Sequence, residues 1–150
     1  MQRFSPVILL SLLLFAASAV AHESRPAYLQ LTLDDAEIVT LSFKAPAVGN
    51  MRMSLYPNMP VNCAETQQFS SYIIDGAYTE RGRFSCAGGL TCETVSIDGL
   101  SQTLTDVLVR VERPDGSTQV TRLTPSAPSF VVAETPGALA VASTYFAIGF

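Results

Sequence analysis

"TDVLVRVERPDGSTQVTRL", residues 105–123, decides the fold class of this chain. Val107, Val109 and Val111 line one side of an extended backbone, Pro114-Asp115-Gly116 supplies the residues of a tight turn, and Val120 to Leu123 bring the chain back. A period of two buries one face of a strand and leaves the other in water, so this stretch predicts a half-buried β-hairpin.

The same period recurs outward in both directions. Leu29, Leu31 and Leu33 alternate with Gln30 and Thr32, and Val39, Leu41 and Phe43 alternate with Thr40, Ser42 and Lys44. The polar loop Asp34-Asp35-Ala36-Glu37 between them has hairpin length, which makes these two strands antiparallel neighbours. Met51, Met53 and Leu55 predict a third strand, stopped by Pro57 and Pro60. Tyr72-Ile73-Ile74 runs into the turn dipeptide Asp75-Gly76, with Ala77 to Ser85 returning as its partner. Val95 and Ile97 mark another strand, and Phe130-Val131-Val132 a last one between Pro128 and Pro136. Seven or eight short strands without a helical period before residue 137 predict an all-β fold, an antiparallel β-sandwich of immunoglobulin-like type, with a small barrel as the alternative.

The two ends have a different character. Arg3 precedes an apolar run from Val7 to Phe15, broken only by Ser11, and small residues follow from Ala17 to Ala21. This pattern reads as a signal peptide over residues 1–21 that exports the chain. Cleavage after Ala21 makes His22 the new amino terminus, whereas cleavage after Ala19 leaves Val20-Ala21-His22 at the front. Residues 22–136 then form one domain, and "GALAVASTYFAIGF", residues 137–150, carries no charge. As a helix these fourteen residues extend about 21 Å, short of the roughly 30 Å of a bilayer's hydrocarbon core. They read as an approach to a membrane, the other reading being a short closing helix packed on the β domain.

Charge and composition exclude several partners. Loss of Arg3 takes the 9 basic residues to 8 against 13 acidic ones, a net charge of −5. That balance argues against nucleic acid, whose phosphates require clustered cations. The absence of tryptophan argues against carbohydrate stacking. Three cysteines, Cys63, Cys86 and Cys92, suit an oxidising compartment as one bridge and one remaining thiol. Cys86 with Cys92 closes a small loop and Cys63 with Cys86 a longer one, and composition leaves both open.

Five segments in order carry a family resemblance: "AHESRPAYLQL" at 21–31, "PNMPVNC" at 57–63, "CAGGL" at 86–90, "IDGLSQTLTDVLVRVERPDGS" at 97–117 and "LTPSAPSF" at 123–130. Together they resemble the periplasmic amino-terminal domain of the HupE/UreJ family, bacterial membrane proteins associated with hydrogenase and urease accessory functions and with nickel uptake. The resemblance implies a non-catalytic domain that assists nickel or other metal handling and whose partner is the membrane half of the same or an associated protein. It also implies a Cys63–Cys86 bridge, a glycine where this chain has Cys92, and hence a free thiol at Cys92.

Catalytic constellations are not expected. The single histidine, His22, stands at the front of the chain, and no G-x-S-x-G motif occurs. Asp34, Asp35 and Glu37 lack the spacing of a calcium loop and read as a solvated turn, while Gly88 and Gly89 lack the following Lys-Ser/Thr of a phosphate loop. The candidate metal ligands are His22 and Glu23. After cleavage at Ala21 the free amine and the imidazole of His22 chelate on one residue, and nitrogen donors of this kind suit Cu(II) or Ni(II). This makes a freestanding Cu/Ni-binding protein the second functional expectation and an assembly module without a ligand the third. The opposing reading of His22 is a solvated ring at a cleavage zone. Arg25 and Tyr28 offer either a recognition edge toward a membrane half or simply the lead-in to the first strand.

Overall fold

The computed structural model describes residues 25–34, 37–49 and 51–135. Residues 1–21, expected to be a signal peptide, lie outside the described residues, as do His22, Glu23, Asp35 and the apolar stretch 137–150. Within them the chain is all-β: β1 (Ala27–Leu33), β2 (Ile38–Val48), β3 (Met51–Arg52), β4 (Tyr56–Asn58), β5 (Cys63–Ile74), β6 (Ala77–Cys86), β7 (Thr94–Asp98), β8 (Val107–Glu112), β9 (Thr118–Leu123) and β10 (Ser129–Val131). The one helical element is a single 3-10 turn at Leu100–Gln102.

The strands form two sheets. The larger runs β5-β6-β2-β1-β8-β9, with β3 pairing separately to β2, and the smaller runs β10-β7-β4. Alternation explains their packing. Leu29 and Leu31 of β1, Leu41 and Phe43 of β2, and Val107, Val109 and Val111 of β8 turn the same way and are buried. Leu55, Val95, Ile97, Phe130 and Val132, from the smaller sheet and its flanks, join them in one core cluster. Each such side chain contributes roughly 1.5–3 kcal/mol through its removal from water.

Three expectations need correction. The larger sheet is mixed, because β1 pairs antiparallel with β2 but parallel with β8, Ala27 opposite Val107 and Leu31 opposite Val111. Alternation reports which face is buried and is silent about strand direction. A parallel pair needs a long crossover, and here β2 to β7 supply it. Secondly, the strand expected from Met51 to Leu55 is only Met51–Arg52, and Pro57 does not stop a strand but lies inside β4. Since β4 is an edge strand, the missing N–H of proline costs no ladder bond on its open side. Thirdly, ten strands replace seven or eight. The strand not foreseen at all is the three-residue β4, and β5 is far longer than Tyr72–Ile74 because its earlier residues are exposed without alternation.

Two turns show why particular residues occupy them. At the β5–β6 connection Asp75 and Gly76 have φ of 51° and 70°, the pair of left-handed residues that matches the twist of a two-residue hairpin. Gly99 has φ +84°, and a Cβ there would stand 2.1 Å from the carbonyl oxygen of Ser54. Only glycine lets the chain pass Ser54 and seat Leu100, which is fully buried.

Candidate interaction surface

The bridge joins Cys63 and Cys86, with S–S 2.05 Å. These residues stand opposite each other at the base of the β5–β6 hairpin, so the bond clamps an edge strand to its neighbour. Cys92 is a free, exposed thiol. Its φ is +65°, in the left-handed region where glycine is favoured. Its Sγ lies 3.7 Å from Glu134 Oε1.

The acidic turn after β1 gathers on nothing. Asp34 Oδ2 accepts from Arg83 Nη2 at 2.8 Å and from the Thr40 hydroxyl at 3.3 Å, whereas Glu37 Oε1 accepts from the Gly88 amide at 3.3 Å. Gly88 and Gly89 lie in the turn that follows β6, and the Gly89 amide donates to Cys86 O. Among the described residues no three His, Cys, Asp or Glu side chains come together as a metal site. Arg25 leads into β1, its carbonyl accepting the Thr105 hydroxyl at 3.2 Å.

Tyr28 belongs to a surface that becomes visible only after folding. Residues directly opposite on neighbouring strands share a face. The pairs Tyr28–Lys44, Gln30–Arg110, Ser42–Arg81, Thr40–Arg83 and Leu108–Arg122 therefore all lie on the face opposite Leu29 and Leu31. This outer face collects five of the eight basic residues that follow residue 21. Arg83 pairs with Asp34, Arg110 with Glu112 and Arg122 with Asp106. Among the described residues Lys44 and Arg81 have no carboxylate within ion-pair distance. Both line a groove of about 400 Å³ together with Tyr28, Thr79, Tyr72 and Asp75.

The groove borders β5, the edge of the sheet. Every residue of β5 after Cys63 is exposed, including Phe69, Tyr72, Ile73 and Ile74. Bulges between Glu65 and Gln67 and between Gln67 and Ser70 distort its first half, while Ser70 to Ile74 pair regularly with β6. Phe69 folds over Gly82, where a Cβ would lie 2.7 Å from the ring, and meets Phe84 edge-on at 5.8 Å. On its open side the strand presents unpaired backbone groups, a template for another extended chain.

A second cluster braces the inner side of the same hairpin. The Arg52 guanidinium lies 4.5 Å from the ring centroids of both Tyr56 and Tyr78 and pairs with Glu80. Burial opposes its charge, yet hydrogen bonds with Tyr56 and Glu80 and the charges of Glu80 and Tyr78 raise its pKa above the usual arginine value. Stacked between two rings and ion-paired, Arg52 joins β3 and β4 to β6.

Reading the chain position by position missed both the cationic face and the open edge. Arg81 and Arg83 stand two apart in β6, the spacing of residues on one face, but their convergence with Lys44 and Arg110 depends on strand order. A scan against protein-family models finds no match for the chain, and a search of curated proteins finds none either.

Proposed function

We propose that this chain is a non-catalytic exported domain of HupE/UreJ type, which holds an extended segment of a membrane-embedded partner along β5 and the adjoining groove. The observation that carries the reading is the twelve-residue edge strand, clamped at its base by Cys63–Cys86 and open along its other side. Strand addition supplies backbone hydrogen bonds, and the flanking side chains supply selection. Lys44 and Arg81 select for carboxylates on the incoming segment, and Tyr72 and Ile74 for apolar residues between them. The fold reading that accompanies this is an immunoglobulin-like sandwich, supported by the single core shared between the two sheets.

Export and periplasmic location rest on the leader and the disulfide, and attachment to a membrane on the family resemblance. Among the described residues no helix is long and apolar enough to cross a membrane. The metal part of the reading, nickel or copper, rests on His22 and Glu23 at the mature amino terminus.

One experiment tests the whole. The chain is produced in a bacterium with its leader intact, together with the membrane half of a HupE/UreJ-type protein, and carries a photo-crosslinker at Ser70. The expected product begins at His22 or Val20, has Cys63 and Cys86 oxidised, and crosslinks to that half. Cytoplasmic protein that keeps Met1 and three free thiols overturns the reading. Calorimetric titration of the purified product with Cu(II) and Ni(II) examines the metal part, with binding expected to be lost in His22→Ala. Equal heats from both proteins remove the metal from the proposal.

A further inference from the structure

Arg113 follows β8 and opens the turn before β9, its amide donating to Ser117 O at 3.0 Å. The side chain folds back into the protein and is only 9 % exposed. Its Nη2 donates to the Ala133 carbonyl at 2.6 Å and to Gln119 Oε1 at 3.3 Å, while Nε is buried without a partner. Both acceptors are neutral. Among the described residues no carboxylate lies within ion-pair distance of it, although the charges of Arg113 and Asp115 act on each other. Asp115 accepts from the Ser117 amide, Glu112 from Arg110 and Gln30, Glu37 from the Gly88 amide, and Glu134 lies against Cys92.

A guanidinium withdrawn from water without a directly bonded carboxylate is costly, and a bound anion would complete it. The space for one is present. A cavity of about 400 Å³ lies between the β8–β9 turn, the turn after Cys86 and the strand end beyond β10, lined by Arg113, Leu33, Gly89, Leu90, Thr91 and Thr135 and also by the exposed Asp115. The guanidinium has five N–H donors, of which the protein uses only those on Nη2. Its planar fork matches the spacing of oxygens in a carboxylate or a phosphate. We propose that this cavity is a binding site for a small oxyanion, a carboxylate or a phosphate, held by the Arg113 guanidinium. The site sits at the end of the fold where β1 finishes and β2 begins, away from the Lys44–Arg81 groove, and stands independently of the proposed function.

The test follows the Arg113 Nε–H signal and the Gly89 and Thr91 amides by ¹H–¹⁵N NMR, titrating the folded protein with sodium acetate, sodium phosphate and sodium chloride at matched ionic strength. Saturable shifts confined to these three signals are expected with acetate or phosphate and not with chloride, and the salt that saturates names the ligand class. In Arg113→Met the Gly89 and Thr91 shifts should require at least tenfold more salt. Thr91→Trp fills the cavity from its exposed rim and leaves Arg113 in place, so it tests the site even if Arg113→Met does not fold. With that variant the Arg113 signal should persist and no longer saturate. Linear shifts of equal size in all three salts, or saturation unchanged in Thr91→Trp, overturn the site.

Discussion

Strands β1 and β5 belong to the same sheet and are built on opposite principles. β1 lies mid-sheet between β2 and β8, buries every second side chain, and announces itself by strict alternation. β5 lies at the edge, buries almost nothing, and is held by one neighbour and one disulfide. The contrast teaches that in this molecule burial specifies the centre, whereas a covalent bond and a few aromatic contacts hold the edge.

The sharpest break of that contrast is a pair of truncations read by urea denaturation. Leu31→Ala in β1 removes a fully buried side chain and should cost about 3–4 kcal/mol. Gln68→Ala in β5 is exposed and should change stability by less than about 0.5 kcal/mol. Comparable losses at both positions would show that the edge is packed after all. Next in size is the clamp. Replacing Cys63 and Cys86 together by serine opens a loop with a sequence separation of 23 residues and should cost about 3 kcal/mol. Hydrogen exchange should then rise most in β5 and β6 and least in β1. Phe69→Ala uncovers Gly82 and removes the edge-on contact with Phe84. A loss of about 1.5 kcal/mol is expected, with β1 amides unaffected in the same exchange experiment. The smallest effect is a gain. Cys92→Gly relieves a left-handed φ and should raise the urea midpoint by an amount equivalent to about 0.5 kcal/mol, the strain relieved exceeding the added chain entropy.

How much of this could be read beforehand follows the same division. Val107, Val109 and Val111, like Leu29 and Leu31, are half-buried positions, and alternation located their strands to within a residue or two. The Asp75-Gly76 turn was legible because its backbone demands residues of that type. β5 was not legible before Tyr72, since a strand exposed on both faces has no period to detect. Pro57 was misread because tolerance of proline depends on which side of a strand is open, a property of the sheet and not of the local chain. Of the sites, the Cys63–Cys86 bridge followed from resemblance and agrees with the structure, whereas His22 and Glu23 lie outside the described residues. The groove of Lys44 and Arg81 and the buried charge of Arg113 arise from side chains far apart in sequence, and only the strand order brings them to their places.

The parallel pairing of β1 with β8 bears on the order in which the molecule can be made. A chain synthesised amino end first presents β1 early, but its second neighbour arrives only after some 80 further residues, the separation already seen between Arg25 and Thr105. Until then β1 has β2 alone as a strand neighbour, and the sheet's middle stays open. Assembly is therefore a late event governed by closure of a long loop, so folding should be slow for a domain of this size.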